Sequence, residues 1–104
     1  MTCISPLTTL FSDLPTPVAE TWLATLQPQP AEGWNDIITY GAWKDVPSIY
    51  LLAEEDKVLP SEIQEQCAAL AGSEVVRVKA GHMLMLNQPD KCLKVILRAV
   101  AGLG

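Results

Sequence analysis

Two short apolar runs govern what this chain can become. Ser48-Ile49-Tyr50-Leu51-Leu52-Ala53 is almost unbroken in its apolarity, and Val75-Val76-Arg77-Val78-Lys79 is rich in β-branched residues, so both read as strands. A run apolar at nearly every position suits a strand covered on both faces, as in a parallel sheet. About twenty residues separate the two runs, room for a crossover helix, and the pair is expected to form a right-handed βαβ unit.

The connecting residues agree with that expectation. Glu54-Glu55-Asp56-Lys57-Val58-Leu59-Pro60 is a polar loop. Ser61-Glu62-Ile63-Gln64 fits a capping box, with Ser61 as N-cap and Gln64 three residues into the helix. Ile63, Cys67, Leu70 and Ala71 then form an apolar face, and Gly72 ends the helix. Beyond the second run, Asn87-Gln88-Pro89-Asp90 opens a last helix, with Pro near its first position and an acid where the helix dipole favours one. Leu93, Ile96, Leu97 and Val100 are its expected buried stripe.

Residues before Val46 obey a looser pattern. Leu7, Leu10, Phe11 and Leu14 have helical spacing interrupted by Pro6 and Pro15, so an irregular or briefly helical lead-in is expected. Thr16-Pro17 reads as a helix start, with Thr16 as N-cap. Val18, Trp22, Leu23 and Leu26 supply a stripe, and Gln27-Pro28-Gln29-Pro30 stops it. A second helical piece is expected from Trp34 to Tyr40. The tryptophans have two readings: Trp22 and Trp34, with Met83, can line a ligand cavity, or Trp22, Trp34 and Trp43 can simply pack these helices together.

Composition narrows the function classes. At 104 residues the chain is one domain at most, burying roughly 65% of its unfolded surface. A mean hydropathy of +0.21 is high for so short a chain, so part of its apolar surface is expected to need a partner. The net charge of −5 speaks against nucleic acid and anionic membranes as partners. Residues 1 to 43 carry four acids and no Lys or Arg, whereas residues 44 to 104 carry eight acids and seven bases. Cys3, Cys67 and Cys92 form no CxxC motif and no metal-ligand cluster, so neither a disulfide framework nor a metal site is expected. Cys67 and Cys92 fall at apolar helix positions that suit burial. No basic signal region and no apolar stretch of membrane-span length is seen. A cytoplasmic location in a reducing compartment is the expectation.

One constellation carries a mechanism. His82, the only histidine, lies three residues beyond the second run, and Asp56 lies three beyond the first. Parallel strands bring their C-terminal ends to one sheet edge, where open α/β sheets bind ligands. Asp56 can therefore accept a hydrogen bond from one imidazole nitrogen, fix the tautomer and leave the other nitrogen free as a general base or acid. Glu54 and Glu55 are rival partners that sit nearer the strand end or in the loop. The plainer alternative makes His82 a surface loop residue and Asp56 a turn former. Gly81 is read as the position that lets the backbone bend before His82.

From Val46 to about Val100 these residues resemble the C-terminal part of the α/β-hydrolase superfamily, most closely its small esterase-like members. The resemblance is carried by Val46-Pro47-Ser48-Ile49-Tyr50-Leu51-Leu52-Ala53-Glu54-Glu55-Asp56, then a helix, then Val78-Lys79-Ala80-Gly81-His82. In that family an acid follows a late strand and Gly-His follows the last one. The resemblance implies Asp56 as the acid and Gly81-His82 as the histidine turn, with Leu10 to Trp43 standing for a helical cap and linker. The expected fold class is α/β, a truncated α/β-hydrolase-like unit. Residues 1–45 form a cap-like or linker segment, and residues 46–104 form a β-α-β-α segment with two parallel strands.

The family's nucleophile elbow, G-x-S-x-G, has no match: Ser5, Ser12, Ser48, Ser61 and Ser73 all lack those flanks. Three functions follow from that pattern. The first is a hydrolase remnant, a truncation, fragment or split half, inactive alone. The second is a cofactor-free enzyme using His82 and Asp56 for proton transfer in isomerisation, cyclisation or dehydration of an apolar small molecule. The third is a non-catalytic binding or assembly module. Two strands with an unpaired edge make a poor domain, so a homodimer, or a complex with the complementary half of a hydrolase, is expected.

Overall fold

A computed structural model describes residues 1–102 of the chain. Its centre is a pair of parallel strands, β1 (Ile49–Ala53) and β2 (Glu74–Val78), in the register Ile49 to Glu74 through Ala53 to Val78. They are linked by α2 (Ser61–Ala71). Ahead of them come α1 (Thr16–Leu23) and a single 3₁₀ turn at Ala42–Lys44. Behind them follow α3 (Leu84–Asn87) and α4 (Pro89–Ala101). Both α2 and α4 pack against β1. No helix among the described residues is long and apolar enough to cross a membrane.

The core is small. Leu52 of β1 and Val78 of β2, on opposite faces of the strand pair, are its largest fully buried side chains. Ala53, Ala68, Ala80 and Cys92 are buried as well, and Phe11 and Ala19 are buried in the N-terminal part. β1 is covered only toward its C-terminal end: Leu52 and Ala53 are buried, while Ile49, Tyr50 and Leu51 stay half-buried. The expectation of a strand enclosed on both faces therefore holds for its last two residues.

Several local expectations are corrected. Thr16 is the first helical residue of α1 and Pro15 is the cap, with no side-chain capping bond. The helix ends at Leu23, earlier than Gln27, because Thr25 and Leu26 donate to Trp22 and Leu23 in tight i to i+3 turns, reinforced by the Thr25 hydroxyl on the Trp22 carbonyl at 2.7 Å. Trp34–Tyr40 is not helical. Gly33 just before it has a left-handed φ of +88°, and the run Ile37-Ile38-Thr39 disfavours helix through its branched side chains; the segment leaves a turn at Trp34 and Asn35 as irregular chain, with Ile37 88% exposed.

In α2 the cap is Pro60, so Ser61 and Gln64 form no capping box. The face turned inward carries Gln64 and Ala68, and Ile63, Cys67 and Leu70 are exposed. Gly72 does end the helix, at φ +65°, and the Ser73 amide returns to the Ala68 carbonyl at 2.9 Å. In α4, Pro89 and Asp90 occupy the first turn as expected, but the buried residue is Cys92. Leu93, Ile96, Leu97 and Val100 face outward.

Candidate active site

The site lies where β1 and β2 end. The sheet ladder is prolonged there by loop amides: Glu54 donates to the Val78 carbonyl at 2.9 Å and Glu55 to the Ala80 carbonyl at 3.0 Å. These bonds bring the next residue, Asp56, beside the chain leaving β2. Its Oδ1 accepts from the amides of Val58 (2.7 Å) and Leu59 (2.9 Å), an Asx-type turn that aims the other oxygen away from the loop. That oxygen, Oδ2, lies 2.9 Å from His82 Nδ1. The structure thus brings together the two residues that strand spacing singled out.

Electrostatics assign the proton. Burial, with the Asp56 side chain only 5% exposed, opposes its ionisation, but the Leu59 amide, His82 and the Val58 amide together outweigh burial. The carboxyl is held below its ordinary value. A carboxylate only accepts, so Nδ1 must carry the hydrogen in the pair. Nε2 of the half-exposed ring, which has no hydrogen-bond partner among the described residues, is then the nitrogen available for chemistry.

Gln64 fixes the acid's loop. Only 3% exposed, it accepts from the Ala53 amide (3.0 Å), donates to the Ala53 carbonyl (2.9 Å) and donates to the Leu59 carbonyl (2.8 Å). One side chain thereby closes the loop carrying Asp56 at both ends. Asp13, from the N-terminal segment, accepts from the Gly81 amide at 2.6 Å and from the Asn87 side chain. Sequence reasoning gave neither residue a site role. For Gln64 the signal was a polar residue in phase with Ala68 on the helix face toward the strands; for Asp13, distant in sequence, there was none. Gly81 also acts differently from expectation. Its φ is not positive; a Cβ there would lie 2.6 Å from Asp13 Oδ1, so glycine makes room for the carboxylate.

Beside the pair is an open depression of about 310 Å³ walled by Tyr50, Leu51, Leu59 and Leu84. Burial, and then the neighbouring Cys67 and Asp56, push the Tyr50 phenol above its ordinary value, which keeps it neutral. Trp22, Trp34 and Met83 are not in this lining. Trp34 borders a separate hollow with Leu10, Leu23 and Leu26, Trp22 is 42% exposed on α1, and Met83 caps α3. No serine, threonine or cysteine lines the depression with His82.

A model of the alpha/beta hydrolase family matches residues 3–95, a span that includes both strands, Asp56 and His82. The chain belongs to the alpha/beta hydrolase family. This member is 31% identical over 84 residues to a protein named alpha/beta hydrolase nvfD from Aspergillus novofumigatus (strain IBT 16806), in a match covering 79% of this chain and 34% of that one. The hydrolase-family chain described here thus aligns with about a third of that relative's length. No solved structure matches it.

Proposed function

We propose that this chain carries the base half of an acyl- or ester-hydrolase site, with His82 as general base and acid and Asp56 as the residue that orients its ring. The observation that carries the reading is the 2.9 Å contact between Nδ1 and Asp56 Oδ2 in a member of a hydrolase family, with Nε2 left free. In the reaction, Nε2 takes the proton of a nucleophilic hydroxyl as its oxygen attacks the substrate carbonyl, and then returns that proton to the departing alkoxide. Both the hydroxyl and the donors for the developing oxyanion come from polypeptide outside these 104 residues, since no G-x-S-x-G elbow is present within them. In this reading substrate contacts fall to Tyr50, Leu59 and Leu84, and not to Trp22, Trp34 or Met83.

The chain alone is expected to show no His82-dependent turnover of p-nitrophenyl esters. Co-expression with a segment of a family member bearing G-x-S-x-G is expected to restore turnover that H82A abolishes. Substantial turnover by the isolated chain, lost in H82A, would overturn the proposal.

A second reading has one observation in its favour: a neutral Tyr50 hydroxyl and apolar walls stand beside the same free nitrogen, with no nucleophile among them. His82 would then move a proton in a small apolar molecule without a covalent step. H82A separates it from a pure binding module, because the module retains its function when the imidazole is removed.

A further inference from the structure

The turn that delivers His82 is held on two flanks. On one flank is the acid loop, through Glu55 and Asp56. On the other is Asp13, 68 residues earlier in the chain than Gly81, which it contacts. We propose that Asp13 is a positioning residue for His82: by gripping the peptide just before the histidine, it sets the direction from which the imidazole meets Asp56.

The geometry is specific. The peptide unit joining Ala80 to Gly81 presents its carbonyl to the Glu55 amide at 3.0 Å and its N–H to Asp13 Oδ2 at 2.6 Å. Two bonds on opposite sides of one rigid plane stop it rotating about the chain axis. The His82 Cα is one peptide further on, so with this plane fixed only the two backbone torsions of Gly81 stand between the held peptide and the residue that carries the ring. The same Asp13 oxygen also accepts from Asn87, the last residue of α3, so one carboxylate brackets residues 81–87 at both ends. Gly81 is the complementary adaptation, since a Cβ would occupy the place of Asp13 Oδ1. That oxygen is buried and has no hydrogen-bond partner, so the side chain has been brought in for the two bonds made by its neighbour.

A residue that merely held two segments together would affect stability and leave the ring's proton where it is. A positioning residue moves it. The proposal rests on the His82–Asp56 reading, and the two are separated by reading the ring directly, without an activity assay. In the full chain labelled with ¹⁵N-histidine, wild type is expected to show one neutral tautomer with the hydrogen on Nδ1, and D56N is expected to lose that preference. If wild-type His82 carries its hydrogen on Nε2, the pairing itself is wrong.

With the pairing intact, D13A is expected to remain folded by amide-signal dispersion while the two ring-nitrogen signals converge toward a tautomer mixture. D13N keeps a carbonyl acceptor for Gly81 and is expected to restore the wild-type ring pattern with a weakened, upfield-shifted Gly81 amide proton. A folded D13A with unchanged ring nitrogens would overturn the proposal. Where D13A does not fold, D13N decides: a Gly81 amide proton that stays at its wild-type position shows that Asp13 does not hold this peptide.

Discussion

Around His82 the molecule buries polar groups, and along α4 it exposes apolar ones. The Gln64 side chain, the Asp56 carboxylate and Asp13 Oδ1 are all withdrawn from water, whereas Leu93, Ile96, Leu97 and Val100 are each more than half exposed. The usual distribution is the reverse. The site end is specified by bonds made within these residues, at the cost of desolvating polar groups that are nearly all partnered. The α4 end is specified by a surface still in water. Site geometry therefore rests on contacts made within this chain, and the apolar stripe of α4 adds little to them.

The largest effect is expected at Gln64. Gln64→Ala strips partners from the Ala53 amide and two carbonyls in a buried place, and is expected to lower unfolding free energy by about 3 kcal/mol in urea titration. A loss below about 1 kcal/mol would mean the site end is not held from within. Gly81→Ala comes next, at about 2 kcal/mol, because the new methyl and the Asp13 carboxylate compete for one space.

Acid sensitivity follows from the Asp56 carboxyl. Its folded value lies below the ordinary 3.8, so its contribution is present above that pH and is lost as pH falls through the depressed value. Between pH 6 and strongly acid solution, Asp56→Asn is expected to lose less stability than wild type; equal slopes would sink the assignment. The smallest change in intrinsic stability, within about 0.5 kcal/mol, is expected for Leu97→Glu on the exposed stripe. That same substitution is expected to shift light-scattering mass from dimer to monomer at micromolar concentration. A wild type already monomeric would remove self-association from the comparison.

The strands, the helix between them and the His82–Asp56 pairing were legible because they rest on local facts: apolar runs of strand length, a connection of crossover length, and two ionisable residues a few positions past their strand ends. The helix faces were not. Periodicity marks which residues of α2 and α4 share a side, but the side turned inward depends on what lies opposite. Gln64 faces in because β1 and its loop offer unpaired backbone groups to it. Leu97 faces out because no packed element lies over it. The segment from Trp34 to Tyr40 misled through its spaced apolar residues, which Gly33 and three branched side chains override. Asp13 was invisible for a different reason: a bond across 68 positions leaves no trace in local pattern.

That span has a kinetic meaning. The contact between His82 and Asp56 closes 26 positions, and the contact between Gly81 and Asp13 closes 68. Loop-closure entropy rises with length, so the shorter ring should shut first, on the strand pair and α2, with the longer one sealing afterwards. During refolding the histidine would meet its carboxylate loosely and then be locked, so a ring signal sharpening in two phases would time the arrival of the N-terminal segment.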